Sequence, residues 1–371
     1  MRGKKRGVLL IGDYPPPMGG IAVHVQQLHQ AFRRAGMQCH VLNIGKGGQP
    51  DPGVIDGRGY ANFSRHLVQN AAQGRLLHFH TGGNSPKAWT VAMAVAAAGQ
   101  LFRAPTALTV HSGEIPDLFS QDAALRRRAQ LALRGYAHVI AVSEAVQKSL
   151  LALGLRGDRV WMHPAFCASE VHPGDPREAL AAIRARRHPL LSFAHNTSPV
   201  YGRELMFQAL ARLATRHPRI GLAVFGPGTA SAELRADAER FGVTSFLEDL
   251  GELSNEQALA VIHASDAFVR PTRADGDSVS VREALTLGVP VVATDVAQRP
   301  PGTIVCREGS AEDLAGKVEQ ALADRPAPTP QPDCAAFLVD LYRRTGLLAA
   351  PRPASAPESF HSSVPASSLR K

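Results

Sequence analysis

Two carboxylates eight positions apart mark the segment of the chain that is richest in potential chemistry. Asp275 lies in a loop that follows a predicted strand, and Glu283 lies about one turn into the next predicted helix. Both side chains can therefore face the carboxyl edge of one sheet. A carboxylate accepts two hydroxyl hydrogen bonds, which suits the diol of a sugar or a ribose. The backbone amides around Gly276, Asp277 and Ser278 suit a diphosphate. The segment predicts a site for a phosphorylated sugar, whereas Glu283 taken alone could also be an ordinary exposed helix residue.

A pair of glycines offers a second candidate for anion binding. Gly19 and Gly20 directly precede a predicted helix, so free backbone N–H groups can approach an anion at its positive end. An ordinary glycine pair in a loop is an equally good reading of these two residues alone. The preceding loop does not follow the G-x-G-x-x-G pattern, which removes support for a dinucleotide site.

The elements that must position these groups alternate between strands and helices. Short apolar runs that end in turn residues, such as residues 8–11, are typical of buried parallel strands. Segments with apolar residues at helical spacing follow them. The alternation occurs once in the first half of the chain and again from about residue 189. It predicts an α/β fold of two tandem Rossmann-like, doubly wound domains that face a cleft, with ligands at the strand carboxyl ends.

Composition excludes several classes of protein. The 371 residues are 44% hydrophobic and 20% charged, which is typical of a globular chain and not of a disordered or polytopic membrane protein. Four widely spaced cysteines form no C-x-x-C pair, so no zinc site, redox motif or disulfide framework is predicted. The apolar run over residues 8–11 is too short for a signal peptide, and residues 88–98 are too few to span a bilayer. We therefore expect a cytoplasmic protein.

The net charge is unevenly distributed along the chain. Residues 1–170 hold 19 basic and 9 acidic residues, a net charge of +10, and the rest holds 22 basic and 23 acidic residues, a net charge of −1. Such an excess suits an anionic membrane surface or a lipid diphosphate, although it can also serve solubility alone. Nucleic acid is disfavoured because no aromatic-basic platform or helix-turn-helix is present. The basic residues concerned are Arg2, Lys4, Lys5, Arg6, Arg126, Arg127, Arg128 and Arg134.

The segment from Asp275 to Glu283 resembles the E-x7-E signature of the retaining glycosyltransferases of family 4, which have two Rossmann-like domains (the GT-B fold). Asp275 stands where that family usually has its first glutamate, and Glu283 matches the second. Four further segments resemble family motifs in the correct order, and the resemblance extends to about residue 325. They are the Gly-Gly-x-x-x-His loop at 19–24, the strand ending in an active-site histidine at 108–111, the segment at 141–144 and the Gly-x-Gly turn at 225–228.

The resemblance implies a role for each matching residue. Glu283 would hold the ribose hydroxyls of a nucleotide-sugar donor, and Asp275 would hold hydroxyls of the donor sugar. Gly19 and Gly20 would offer amides near the phosphates, and His111 would reach the donor sugar from across the cleft. The transfer would keep the anomeric configuration by positioning and leaving-group stabilisation, without a cofactor or a required metal. The other candidates on the donor side are Gly226, Gly276, Asp277 and Ser278.

The order of the predicted elements, together with the resemblance, divides the chain into domains. The predicted parts are an acceptor-side domain over 1–167, a connector over 168–188, a donor domain over 189–325, a helix over 326–349 and a disordered tail over 350–371. His80 ends a strand at the cleft edge, where contact with the acceptor and simple packing are both open. We expect His78, His24 and His29 to be structural. We predict that the tail is dispensable.

One loop departs from the family pattern. Members usually carry arginine and lysine after the first donor-domain strand, where Asn196 and Tyr201 stand in this chain. Loss of two cations should weaken stabilisation of the leaving diphosphate. Arg203, Arg270 or Arg273 could substitute from nearby. The resemblance thus implies a retaining hexosyltransferase that acts on a glycan or lipid-linked acceptor in bacterial surface polysaccharide synthesis, peripheral to the membrane. A sugar-nucleotide epimerase and a non-catalytic sugar-nucleotide-binding subunit of the same fold are the alternatives.

Overall fold

The fold is described from a computed structural model, which describes residues 7–17, 19–47, 51–174, 177–275, 277–324, 327 and 329–348. Gly276, the basic residues before residue 7 and the predicted tail from residue 350 lie outside these residues. The strands are β1 (Val8–Gly12), β2 (Cys39–Asn43), β3 (Val54–Asp56), β4 (Leu76–Thr81), β5 (Thr106–Val110), β6 (His138–Ala141), β7 (Val160–Met162), β8 (Leu190–Ala194), β9 (Gly221–Phe225), β10 (Leu247–Asp249), β11 (Ala267–Arg270), β12 (Val291–Thr294) and β13 (Thr303–Cys306).

Helices connect most of these strands, and several begin at a side-chain cap. Ser254 and Gln257 form a reciprocal capping box, for example, which satisfies backbone N–H groups that the first helical turn leaves free. The helices are α1 (Gly20–Arg34), α2 (Tyr60–Ala72), α3 (Pro86–Phe102), α4 (Ile115–Gln121), α5 (Ala123–Leu133), α6 (Glu144–Leu151), α7 (Arg177–Arg186), α8 (Arg203–Ala214), α9 (Ala232–Arg240), α10 (Asn255–His263), α11 (Val279–Thr286), α12 (Ala311–Asp324) and α13 (Cys334–Arg344).

The strands form two parallel sheets with equivalent topology. The first sheet has the order β3-β2-β1-β4-β5-β6-β7, and the second has the order β10-β9-β8-β11-β12-β13. In both sheets the strand order reverses beside the first strand, between β1 and β4 and between β8 and β11. This is the doubly wound arrangement, in which ligands bind at the carboxyl ends of the two strands that flank the reversal. The predicted α/β fold of two Rossmann-like domains is confirmed.

Each sheet is covered on both faces by apolar side chains. On the first sheet, Trp89 and Tyr136 belong to the core on one face, while Leu10 and Phe32 belong to the core on the other. Strands β1, β4 and β5 are buried along their whole length. Burial on both faces explains why these strands are continuous apolar runs in the sequence rather than alternating ones.

The last described helix packs on the first sheet and not on the second. Leu338, Leu341 and Tyr342 of α13 join the core that contains Leu10 and Phe32. The segment before α13 runs beside the connector between the two sheets, because the Cys334 amide donates to the Phe166 carbonyl at 2.6 Å. The chain therefore crosses between its two halves twice, and the crossings lie side by side.

Several short elements were not predicted from the sequence. Strands β3, β7, β10 and β13 add edges to the two sheets, and α2 and α4 add turns to the first half. Three of these strands have only three residues, which is too short for a periodicity to show. The four cysteines are buried and unbonded, as expected. Within the described residues, no helix has both the length and the apolarity needed to cross a bilayer.

Candidate active site

Glu283 lies in the first turns of α11, which follows the switch-point strand β11. The side chain is buried, and its Oε1 accepts a hydrogen bond of 3.3 Å from the Asn255 side chain. Burial raises the pKa of Glu283 to about 7, and the Asn255 amide opposes this rise. A buried carboxyl group with so few hydrogen bonds within the described residues can accept further hydrogen bonds from the hydroxyl groups of a ligand.

Asp275 is held by two arginines at the carboxyl end of β11. Its carboxylate accepts hydrogen bonds from Arg270 Nε at 3.2 Å and from Arg299 Nη1 at 2.8 Å, and the Thr272 hydroxyl also donates at 3.2 Å. Burial alone would raise the pKa of Asp275, but the two guanidinium groups outweigh it and hold the pKa below its usual range. Asp275 and Glu283 therefore share a loop-helix unit but differ in charge state near neutral pH.

Asp277 and Ser278 complete the described part of this loop. Asp277 Oδ1 accepts from Arg282 Nε at 2.6 Å, and Arg282 extends to the Gln331 side chain at 2.9 Å. Burial raises the pKa of Asp277, and Arg282 opposes the rise. Ser278 is buried and precedes the first turn of α11 without capping it through its side chain. The predicted site residue Asp277 is thus an ion-pair partner that fixes the loop.

The neighbouring loop after β8 touches the β11 loop through Gly202. This residue has φ 74°, and a Cβ there would approach the Pro271 carbonyl oxygen to 1.8 Å, so only glycine allows the contact. The two loops that flank the reversal of strand order are therefore in direct contact. Gly226 plays a similar part, because a Cβ at its φ of 122° would lie 2.3 Å from the His195 carbonyl oxygen.

His195 occupies the position directly after β8 and was not predicted. It is 3% exposed, and both ring nitrogens are buried without a hydrogen-bond partner among the described residues. Burial lowers its pKa to about 4, and Arg203 adds to the effect. The reasoning that selected His80 as a strand-end histidine applies equally to His195 and could have found it.

The two departures from the family pattern are accommodated differently. The Tyr201 ring lies under the Arg270 guanidinium, 4.7 Å from it, so the residue in the lysine position supports a cation instead of supplying one. The Asn196 side chain accepts from the Ser198 amide at 3.1 Å and shapes the loop. With these contacts Tyr201 helps to hold Arg270 against Asp275.

Arg203 and Arg273 line a cavity of about 230 Å³ beside this loop, together with Asn196, Thr197, Ser198, Pro199, Gly202, Glu204 and Glu233. Arg203 pairs with Asp237 at 2.5 Å, while its buried Nε atom has no described partner. Arg273 is exposed and lies 3.7 Å from Glu204, at the outer limit of an ion pair. The three arginines predicted to replace the missing cations are all present near the loop, but each already has an acidic neighbour.

Gly19 and Gly20 lie at the start of α1, beside the reversal of strand order in the first sheet. A Cβ at either glycine would meet no atom within 4 Å, so the space above the helix terminus is open. Gly19 provides no side-chain cap, and the first turn of α1 contains no acidic residue. The described residues therefore leave room beside these two glycines, as an anion at the start of the helix would require.

Three histidines converge at the carboxyl edge of the same sheet. His80 Nδ1 lies 3.2 Å from His111 Nε2, and the His24 ring lies 5.5 Å and 5.3 Å from these two rings. Burial lowers the pKa of His111 to about 3 and holds the pKa values of His24 and His80 well below their usual range. The structure thus brings together His80 and His111, which were expected in the site, and His24, which was expected to be structural.

His78, two residues before His80 in β4, packs against the ring of His80. Its Nδ1 atom lies 2.5 Å from the Tyr342 hydroxyl, its Nε2 atom lies 2.8 Å from the Thr109 hydroxyl, and its ring lies 4.2 Å from that of His80. Both nitrogens of His78 are therefore occupied. Tyr342 belongs to α13, so the last described helix contacts the site through this histidine.

The carboxyl edges of the two sheets approach each other near the two segments that connect the halves of the chain. The Ala165 backbone lies next to the Asp277 carboxylate of the second half. Cys334, which follows the second crossing, has its Sγ atom 3.9 Å from His24 Nε2 in the first half. The histidine cluster and the β11 loop thus border one cleft between the two domains.

Arg299, Asn255 and Arg282 are further site residues that the sequence did not reveal. Arg299 lies five residues after β12, where the rule that ligands bind at strand carboxyl ends could have drawn attention to it. Asn255 and Arg282 lie on helices, and nothing in their spacing distinguishes them from exposed polar residues. Only the folded arrangement places Asn255 on Glu283 and Arg282 on Asp277.

Comparison with known proteins gives one family match for each half of the chain. Residues 18–165 match the family described as Glycosyltransferase Family 4, and residues 181–331 match the family described as Glycosyl transferases group 1. The chain is 26% identical over 328 residues to the glycogen synthase of Mycobacterium tuberculosis, with 78% of each protein covered.

Solved structures with low sequence identity have the same fold. HepE from Anabaena, solved in complex with UDP, superposes with a TM-score of 0.66 at 19% identity, covering 86% of this chain and 90% of HepE. Sucrose-phosphate synthase from Thermosynechococcus elongatus gives 0.66 at 18% identity, covering 92% and 99%. These likenesses and the paired sheets show that the chain has the GT-B fold, and the two family matches, one in each half, show that it belongs to the family 4 glycosyltransferases.

Proposed function

We propose that this glycosyltransferase moves a hexosyl group from a UDP-hexose to a hydroxyl of a glycan or lipid-linked saccharide, with retention of the anomeric configuration, in the synthesis of a bacterial surface polysaccharide. The observation that carries the proposal is the pair of carboxyl groups, Asp275 and Glu283, at the reversal of strand order in the second sheet. HepE, which has the same fold, was solved with UDP-glucose bound.

In the proposed complex each carboxyl group binds a different part of the donor. Glu283 is buried with a single weak described partner and accepts the ribose hydroxyls. Asp275 is kept ionised by Arg270 and Arg299 and accepts hydroxyls of the sugar. The open amides before α1 and the first turn of α11 surround the diphosphate. Positioning and stabilisation of the departing charge then supply most of the rate enhancement.

The arginines beside the diphosphate act only after they exchange an acidic partner for the phosphate. Arg273 is the most exposed of them and has the longest ion pair, 3.7 Å to Glu204, so it exchanges at the smallest cost. His111 extends from the opposite side as a neutral imidazole, which can donate or accept a hydrogen bond with the donor sugar. His80, one hydrogen bond behind it, orients that ring and borders the acceptor.

A surface on the first domain suits a peripheral position at an anionic membrane. Leu101 on α3 and Leu131 on α5 are 76% and 60% exposed, on helices that pack against each other. Arg127, Arg128 and Arg134 are exposed on or directly after α5. Exposed leucines flanked by arginines are the combination that binds an anionic bilayer by apolar insertion and electrostatic attraction. A lipid-linked acceptor would be reached from this surface.

Calorimetry with UDP and UDP-glucose tests the donor site. Glu283→Gln should weaken UDP binding by about 1–3 kcal/mol, because the ribose hydroxyls lose their charged acceptor. Glu239→Gln, which alters an exposed glutamate on α9, serves as the matched control and should leave the affinity unchanged. Equal affinity of both variants for UDP would refute the assignment of Glu283.

The chemistry is tested separately with a membrane extract as the acceptor source. We expect a glycosylated product whose anomeric configuration, determined by NMR, is that of the donor. A product of inverted configuration would contradict retention. Interconversion of the nucleotide sugar without any acceptor would instead identify an epimerase.

A further inference from the structure

The histidine cluster of the first domain contains more nitrogen ligands than the proposed transfer uses. His24, His80 and His111 each place a ring nitrogen within 4.8 Å of a ring nitrogen of the other two. They come from α1, from the end of β4 and from the residue after β5, so three separately anchored elements converge on one point. The sequence did not predict a metal site, because these residues are far apart in the chain and follow no ligand spacing.

The bonding of His24 is incomplete in a way that a ligand would complete. Its Nδ1 atom is buried and has no hydrogen-bond partner among the described residues. A buried polar atom without a partner costs free energy that a bound ligand can recover. Among the described residues, neither arginine nor a carboxylate contacts the three rings, and burial keeps the imidazoles neutral, which is the form that carries a lone pair for coordination.

We propose that His24, His80 and His111 bind a divalent transition-metal ion with an affinity for imidazole, such as Zn²⁺. In a tetrahedral site with metal–nitrogen distances of about 2.0–2.1 Å, neighbouring ligand nitrogens are about 3.3 Å apart. His80 Nδ1 and His111 Nε2 already lie 3.2 Å apart. The His24 ring closes the set by a small side-chain rotation, and the ion replaces the hydrogen shared by His80 and His111.

The surroundings match such a site in two further respects. His111 is partly exposed at the cleft, so the ion has an entry path and the fourth coordination position stays open to water or another small ligand. The His80 ring is backed by His78, which Tyr342 and Thr109 hold through both nitrogens. A fixed neighbour of this kind restrains the orientation of a ligand ring.

Metal binding by the cluster does not depend on the proposed transferase reaction, and it is measured without donor. The full chain, stripped with a chelator, is titrated with Zn²⁺ in a calorimeter and with Co²⁺ in a visible spectrophotometer. We expect one equivalent of Zn²⁺ to bind and Co²⁺ to develop the visible absorption of a four- or five-coordinate nitrogen site. Absence of saturable Zn²⁺ binding would overturn the proposal.

Two variants locate the ion. His24→Gln should lower the Zn²⁺ affinity at least tenfold and abolish the Co²⁺ absorption. His29→Gln changes a buried histidine of the same helix outside the cluster and should keep both. Retention of full affinity by His24→Gln would refute the site.

Circular dichroism and urea unfolding, which do not depend on the donor, show whether each variant is folded. If His24→Gln does not fold, His111→Gln at the partly exposed position decides in its place. A tenfold loss of Zn²⁺ affinity in His111→Gln supports the site, and unchanged affinity refutes it.

Discussion

The carboxyl edges of the two sheets have equivalent topology and opposite chemistry. The first sheet presents the buried His24 and His80 and the partly exposed His111, whose imidazoles are neutral near pH 7. The second sheet presents Asp275 between Arg270 and Arg299, a buried network in which charges compensate one another. Strand order therefore determines where a site forms, and the residues at the strand ends alone determine its chemistry.

The two edges also differ in the free-energy cost of burying their polar side chains. Neutral imidazoles can be buried at a moderate cost, so the first edge tolerates nitrogens without partners. Buried ions must be compensated within the protein, so the second edge uses Arg270, Arg299 and Arg282 to hold its aspartates. Replacing a buried ion at the second edge should consequently lower the free energy of unfolding more than removing a hydrogen-bonding group at the first edge.

The largest effect is expected from Asp275→Asn. The change leaves the Arg270 and Arg299 guanidiniums close together in a buried setting without the carboxylate that joins them. We expect a loss of about 3–5 kcal/mol in the free energy of unfolding, measured with urea. Asp56→Asn, which breaks a solvent-exposed pair with Arg58, is the control and should leave the free energy of unfolding nearly unchanged. Equal losses for the two variants would show that the buried network contributes nothing beyond a surface pair.

Tyr342→Phe tests the first edge in the same assay. The variant removes the hydroxyl that contacts His78 Nδ1 and leaves that buried nitrogen without a partner. We expect a loss of about 1–3 kcal/mol, smaller than for Asp275→Asn. Tyr60→Phe removes a hydroxyl that is exposed to solvent and should leave stability unchanged. A loss for Tyr342→Phe larger than that for Asp275→Asn would reverse the comparison between the two edges.

The raised pKa of Glu283, at the second edge, predicts that UDP affinity depends on pH. Burial raises its pKa to about 7, so the free protein holds a proton there below that pH, whereas in the proposed donor complex the ribose diol favours the ionised form. UDP affinity should therefore increase about tenfold from pH 6 to pH 8, which corresponds to about 1.4 kcal/mol. Glu283→Gln should abolish the dependence. An affinity for UDP that is constant over this range would show that Glu283 does not titrate on binding.

The same raised pKa makes the free energy of unfolding decrease with pH, whereas the UDP affinity should increase with pH. Between the ordinary carboxyl value of 4.5 and about 7, the folded chain retains a proton that the unfolded chain has released. The contribution of Glu283 is therefore fully present below pH 4.5 and is lost as the pH rises through 7. Unfolding of the Glu283→Gln variant should lack this decline, which a urea series across the range measures.

The smallest effect concerns the basic surface of the first domain. Arg128→Gln should weaken binding to anionic liposomes by about 1 kcal/mol, or roughly fivefold, and added salt should weaken it further. Arg212→Gln on α8 of the second domain is the matched control. Co-sedimentation that responds neither to salt nor to Arg128 would contradict the proposed membrane surface.

The sequence was sufficient for the fold because both sheets are built from buried parallel strands, whose continuous apolar runs are easy to recognise. The strand positions also drew attention to the loop from Asp275 to Glu283 and to His80, whereas His111 was proposed from the family resemblance. The sequence did not reveal that Asp275 is held by Arg299, because a partner 24 positions away leaves no local pattern. For the same reason His24 was assigned a structural role, although its ring lies beside those of His80 and His111.

The packing of α13 on the first sheet has a consequence for how the chain is made. The apolar core around Leu10 and Phe32 includes Leu338, Leu341 and Tyr342, which are synthesised after the whole second domain. During translation the first domain therefore emerges with one face of its sheet covered by α1 but not by α13, and it stays so until the ribosome has added more than 150 further residues, from Phe166 to Cys334 and beyond. The second domain can fold as soon as it leaves the ribosome, so the domain that is made first is completed last.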